Sequence, residues 1–402
     1  MLSREDSHSH ASIASTPQSN SSIMQFYQRP TDIIRTNIPP KTTRALELRL
    51  IHHFTAVTSQ TFADTKEQKQ AWQIEIPAIA YEASYLMDAI LAVSALHLRS
   101  SSPGDQTLIR ASHGYMASAL AQYSSLLNSG LCEYNAEALF TTSALIAFQA
   151  SASRRFEDDQ GDGGYSLPLA WFHSFQGVKT VVMASWQWLR TSSRVYPIIN
   201  GQTAIYLDMN PGGMSFFAPL LENLCEQLES LDESTRAETK QAYEHAVTFL
   251  NWAHQRPFRN RILGFAATVS RRFVELIGEH DPRALAIVSC FFALTRMVDD
   301  VWWLQGVAKR EVNGIFGLLP QEWWPKMEWP LRIANHEGPI DEDTWGIKLG
   351  VASVKMEEEA GTVHSHIDML EHISRYFLEQ RLYYQRRLPS CVWSAWVSVR
   401  VL

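Results

Sequence analysis

"SYLMDAILAVSALHLR", residues 84–99, is apolar nearly all the way round a 3.6-residue period. A surface helix shows one apolar stripe, whereas a helix apolar on every side belongs inside a bundle. Ala89, Ala92, Ser94 and Ala95 punctuate the stretch with small side chains, so neighbouring helices can approach closely. The stretch predicts a central buried helix, and with it an all-α protein.

The surrounding chain reads the same way. In residues 42–58, Leu46, Leu50, Ile51, Phe54 and Val57 share one helical face, and Pro39-Pro40 just upstream fits a helix start. Residues 106–128 and 136–150 are of the same kind. Residues 215–231 carry Leu220, Leu221, Leu224, Leu228 and Leu231 on one stripe. Thr235 and Glu238 match a capping box for a helix that runs through Tyr243, Ala246, Val247 and Leu250 and stops near Pro257. A long apolar helix is predicted over 282–304 and a polar one over 351–380. The best strand candidate is the short "VYPII" of residues 195–199. Linkers are expected at 1–40, 153–167 and 331–347, and none forces a domain split. The predicted organisation is a disordered Ser-rich segment over 1–40, one multi-helix domain over 41–380, and a tail over 381–402.

Composition narrows the function classes. The 402 residues are 46% hydrophobic and carry a net charge of −7, with no run of Lys or Arg longer than two. Phosphate affinity needs clustered cations, so direct nucleic-acid binding by this chain is not expected. The cysteines are Cys132, Cys225, Cys290 and Cys391, never closer than 65 residues. Zinc modules need close pairs, so the expectation is buried thiols in a reducing compartment, with no metal and no cofactor. The first 22 residues hold no apolar stretch that could act as a secretion signal. The longest uncharged apolar run, "ALAIVSCFFALT" at 284–295, is too short to cross a bilayer, and the expected protein is intracellular and off the membrane.

Three constellations invite a chemical reading. "DDQGDGG" (158–164) resembles the front of a calcium loop, but Gln160 stands at its third position and Leu169 at its twelfth. A solvated loop is the plainer reading. His364, Asp368 and His372 align on one helical face, without the His-Glu-x-x-His spacing of a zinc protease. A solvated helix face explains them as well. Asp299-Asp300 suggests an aspartate-rich diphosphate motif, yet Trp303 stands where the next carboxylate belongs. A surface pair, or a pair bonding Arg296, is preferred. No nucleophile elbow, phosphate loop or dinucleotide fingerprint occurs, so no catalytic residue is assigned.

Several stretches in fixed order carry a family likeness. They are "ELRLIHHFTAVTSQTF" (47–62), "WQIEIPAIAYEASYLMDAILAVSALHLR" (72–99), "YNAEALFTTSALIAFQAS" (134–151), "WFHSFQGVKTVVMASWQWL" (171–189) and "WWLQGVAKREVNGIFGLLPQEWWPKMEWPLRI" (302–333). Together they resemble the C-terminal regulatory region of fungal sterol-uptake-control-type transcription factors, over roughly residues 44–335. The resemblance implies an all-helical, often dimeric, nuclear or nucleo-cytoplasmic regulatory domain with a deep apolar pocket. Many relatives are assigned to secondary-metabolite gene clusters. Full-length members usually begin with a six-cysteine zinc cluster, whereas the first cysteine here is Cys132.

The expectation that follows is a ligand-responsive transcriptional regulator, acting as a homodimer or with a full-length relative that reads DNA. The ligand would be an apolar small molecule, sterol-like or a pathway metabolite. Phe148, Met183, Phe291, Phe292 and Trp303 are the expected liners, although aromatic stripes at helical spacing usually just pack. The alternative is an enzyme or cyclisation factor of natural-product biosynthesis built on the same pocket, with Trp302, Trp303 or Trp186 steering a reactive substrate. A third reading is a structural partner that titrates a full-length relative. Residues 302–330 hold five of the 13 tryptophans. They read as packing, with Val312, Ile315, Phe316 and Leu319 as the inner face of a helix stopped by Pro320.

Overall fold

A computed structural model describes residues 40–157, 164–200, 207 and 215–347. Helix α1 (Pro40–Ala56) begins on a proline, whose missing N–H is no loss in a first turn. It buries Leu50 and Phe54 and leaves Val57 exposed beyond its end. Two short helices follow, α2 (Lys66–Gln70) and α3 (Ile76–Ala80), joined by a single wide π turn, Ala71–Glu75, that buries Trp72. A capping box opens α2: Gln68 N donates to Thr65 Oγ1, and Thr65 N donates back to Gln68 Oε1.

The next three helices carry the first half of the core. Helix α4 (Ser84–Ser101) lies against α1, and Ser94 Oγ donates to Leu50 O at 2.7 Å. A large residue at 94 would hold these backbones apart. Helix α5 (Gln106–Ser129) packs along α4, its first turn capped by Asp105, which accepts from Thr107 N and Leu108 N. Helix α6 (Ala136–Ser153) is buried at every position except Glu137, Phe148 and Ser153.

Helix α7 (Leu169–Leu189) joins this half to the second, packing on α6 along one side. After α8 (Tyr196–Asn200) and α9 (Leu224–Gln227) come α10 (Glu233–Gln255), α11 (Arg259–Thr268), α12 (Arg271–Gly278) and α13 (Pro282–Thr295). All of α13 from Arg283 to Thr295 is buried. Trp171 of α7 meets Phe292 of α13 edge-on, with ring centres 5.4 Å apart. Helix α14 (Val307–Phe316) follows the left-handed Gly306, and α15 (Glu328–Ala334) and α16 (Glu342–Trp345) finish the described chain. Among the described residues there is no strand, and the all-α expectation holds.

Several boundaries differ from the pattern. The leucine stripe of 215–231 is not one helix. Leu220, Leu224 and Leu228 are buried, but a 3-10 turn at Ala218–Leu221 ends in extended Glu222 and left-handed Asn223 before α9. Arg283 fills the break, donating to the carbonyls of Leu220 and Glu222. The cap of α10 is Asp232, three residues ahead of Thr235, and it accepts from Ser234 N and Thr235 N. Helix α13 stops at Thr295 rather than 304, passing into the 3-10 turn Arg296–Val298. "VYPII" lies on α8, not on a strand.

The segment 331–347 is no linker. Trp345 is fully buried, its indole donating to His254 O at 3.1 Å while Trp345 O bonds His254 Nε2 at 3.1 Å. The N-terminal lead, most of the calcium-like loop, the polar helix with His364, Asp368 and His372, and the C-terminal tail lie outside the described residues.

Candidate functional site

The 3-10 turn Thr58–Thr61 brings α1 against the tryptophan-rich stretch. Trp302 Nε1 donates to Thr61 Oγ1 at 3.1 Å and Trp303 Nε1 to Thr61 O at 3.3 Å, so one threonine satisfies both indoles. Trp303 is fully buried. It stands edge-on to Phe148 at 5.0 Å, and Phe148 stacks on Phe62 at 4.1 Å with Trp72 edge-on at 5.9 Å. Aromatic pairs in these geometries add about 0.5–1.5 kcal/mol each beyond area burial. Phe148 is the half-buried member.

A polar rim borders this cluster. His97 stacks on Trp302 with ring centres 4.3 Å apart and planes 9° apart, and its Nδ1 bonds Thr58 Oγ1 at 2.9 Å. Burial first, then coupling to the His53 ring and the Arg155 guanidinium, pulls His97 down to about 3. The ring is therefore neutral at physiological pH.

Of the five expected liners, the structure brings Phe148 and Trp303 together. Phe291 and Phe292 are fully buried in a second aromatic group with Trp171, Phe172 and Phe265, where Phe265 stacks on Phe291 at 4.7 Å. No ring contact among the described residues links the two groups. Met183 is half-buried on α7 and is not one of the partly buried side chains packed against the core. The Phe148–Trp303 group is thus the one that combines an expected pair, partial access and polar neighbours.

Beside it lies a charge network that sequence reasoning missed. Arg154 and Glu311 are 2% and 0% exposed and form a bidentate pair at 2.7 and 2.9 Å. Arg154 also donates to Glu157 at 2.6 Å and to Ser166 O, and Arg310 donates to Glu311 at 2.7 Å. Tyr165 Oη donates to Glu311 Oε2 at 2.7 Å. Burial opposes the charge on Arg154, but the Glu311 carboxylate overrides it and raises its pKa. Burial and Glu311 push the Tyr165 phenol up, so it stays a donor. The network ties the end of α6 to α14. A signal existed: Glu311 sits on the apolar stripe of α14, between Val307 and Ile315.

Asp299 pairs with Arg296 at 2.9 Å, as the plainer reading had it, and Asp300 reaches Arg259 at 3.3 Å. Among the described residues no group of three or more His, Cys, Asp or Glu could hold a metal. No described helix is long and apolar enough to cross a membrane.

Comparison with known proteins places this architecture. Residues 49–155, from α1 through α6, match the fungal specific transcription factor domain. A Zn(2)-C6 fungal-type transcription factor of Gibberella zeae is 47% identical over 358 residues, covering 85% of this chain and 73% of that protein. Sterol uptake control protein 2 of Candida albicans is 25% identical over 66% of this chain. Its namesake in Saccharomyces cerevisiae is 25% identical over 69%. The chain spans only 39% and 30% of those two proteins' lengths. At 47% identity over most of both chains, and with the family's helical domain matched across α1 to α6, the protein belongs to the Zn(2)-C6 fungal-type transcription factors.

Proposed function

We propose that the helical domain is the ligand-responsive part of a nuclear transcriptional regulator, and that an apolar small molecule, sterol-like or a pathway metabolite, sets its state. The observation that carries this reading is the Phe62–Trp72–Phe148–Trp303 group, with half-buried Phe148 at its edge. Two relatives named for control of sterol uptake support the sterol side of it. Within this reading the domain responds to ligand and dimerises, with a second copy of itself or with a full-length relative.

The test is thermal denaturation of the purified protein with ergosterol, and with an organic extract of fungal mycelium, against carrier alone. A ligand that binds the folded state raises the midpoint by mass action. No shift with either, together with unchanged transcripts on deletion of the gene, overturns the reading. Conversion of an added precursor to product in the same tube overturns it in favour of an enzyme.

A further inference from the structure

Basic side chains collect where α4 and α6 end, on a protein whose net charge is −7. Arg99 stands in the last turn of α4, and Arg155 lies two residues past the end of α6. Both guanidinium groups lie over the ring of Phe156, their central carbons 4.2 and 5.2 Å from its centroid. His97 and His113 lie near them, with His53 4.9 Å from His97; burial lowers His97 and His113 most, and Arg155 lowers His97 further as Arg99 does His113.

Among the described residues no acid answers this charge. Among the described residues neither Arg99 nor Arg155 forms an ion pair, and Glu157, the nearest carboxylate in sequence, is held by Arg154 and Arg310. Arg155 spends one donor on Trp302 O at 2.8 Å, of the five a guanidinium offers. Arg99 Nε and His53 Nε2 are buried with no hydrogen-bond partner. Helix ends explain part of the arrangement, since arginines favour the negative C-terminal pole. Two such poles amount to roughly one negative charge against two guanidinium charges, so among the described residues a positive surplus remains.

We propose that Arg99 and Arg155, splayed over Phe156, form a binding site for a small oxyanion, a carboxylate or a phosphate. The planar forks present parallel N–H donors of the kind that grip such groups in pairs. Burial lowers the pKa of both arginines with nothing opposing it, and an arriving anion would relieve that penalty. The site borders the Trp302 rim but does not depend on an apolar ligand in the aromatic group.

The experiment titrates the full chain with inorganic phosphate and, separately, with succinate, at constant ionic strength against chloride, following the thermal midpoint and binding heat. Saturable binding of either anion is expected, and the stronger of the two identifies the source. Arg99→Gln with Arg155→Gln should weaken it by about tenfold or more. Arg271→Gln, at an exposed arginine on α12, should leave it unchanged. If the double variant does not fold, Arg99→Lys with Arg155→Lys keeps the charge, loses the fork and should still bind more weakly. No saturable binding of either anion, or binding unchanged in the folded variants, overturns the proposal.

Discussion

Arg154 and Glu311 stand 157 residues apart in the chain and meet through two parallel bonds, Nε to Oε1 at 2.7 Å and Nη2 to Oε2 at 2.9 Å. Breaking a buried pair on one side leaves an uncompensated charge. Glu311→Ala is expected to cost about 3–5 kcal/mol, and replacement of both residues by Met to cost less than that single change. Urea unfolding of the three chains measures this. A loss under about 1 kcal/mol for Glu311→Ala would show that the pair does not hold α6 to α14.

Gly314 faces the Tyr165 ring so closely that an added Cβ would lie 2.2 Å from Cδ2. Alanine is a better helix former by about 1 kcal/mol. Here Gly314→Ala must instead push the ring away and strip its hydroxyl from Glu311. The expected net effect is destabilisation by about 1–3 kcal/mol. In a Tyr165→Ala background the same change should become neutral or stabilising. A double-mutant cycle decides, and additive effects would sink the packing argument.

His254 is 1% exposed, and burial lowers it to about 4, against a smaller upward pull from its bond to Trp345 O. Unfolding returns it to about 6.5, so between those values the unfolded chain binds the extra proton. Stability from this residue is complete above pH 6.5 and is lost as pH falls toward 4. Thermal midpoints across that window should drop less steeply in His254→Gln than in the parent. Parallel curves would count against the assignment.

Phe148 and Trp303 separate binding from packing. Trp303 is fully buried, and its truncation to Ala should cost about 3–5 kcal/mol whatever the domain binds. Phe148 is half-buried, and Phe148→Leu keeps an apolar side chain. If the aromatic group meets ligand, Phe148→Leu should remove most of the ligand-induced thermal shift while moving the unliganded midpoint little. A full shift retained in that variant would place the ligand elsewhere.

The long helices were legible because periodicity is local. The all-round apolar character of 84–99 and 136–150 matches α4 and α6 to within a few residues. Where the pattern misled, a backbone feature overrode it. The leucines of 215–231 keep helical spacing, but the left-handed Asn223 breaks the element and the buried Arg283 occupies the gap. Trp345 was invisible as core because its burial depends on His254, 91 residues upstream. The Arg154–Glu311 network was hidden for the same reason. A carboxylate on an apolar stripe announces that it has a partner, not which one. At the candidate site, the sequence named Phe148, Met183, Phe291, Phe292 and Trp303 as one set and could not show that Phe148 meets Trp303 while Phe291 and Phe292 pack in a second group.

The span between Arg154 and Glu311 also sets a schedule for synthesis. At about 5–20 residues per second, Glu311 leaves the ribosome roughly 8–30 s after Arg154. Throughout that interval the first six helices carry a core-bound arginine without its main counter-charge, and Phe148 lacks the Trp303 edge. The first half of the domain therefore cannot lock before the tryptophan-rich stretch emerges, and a chain stalled in between is the form most exposed to chaperones and proteases.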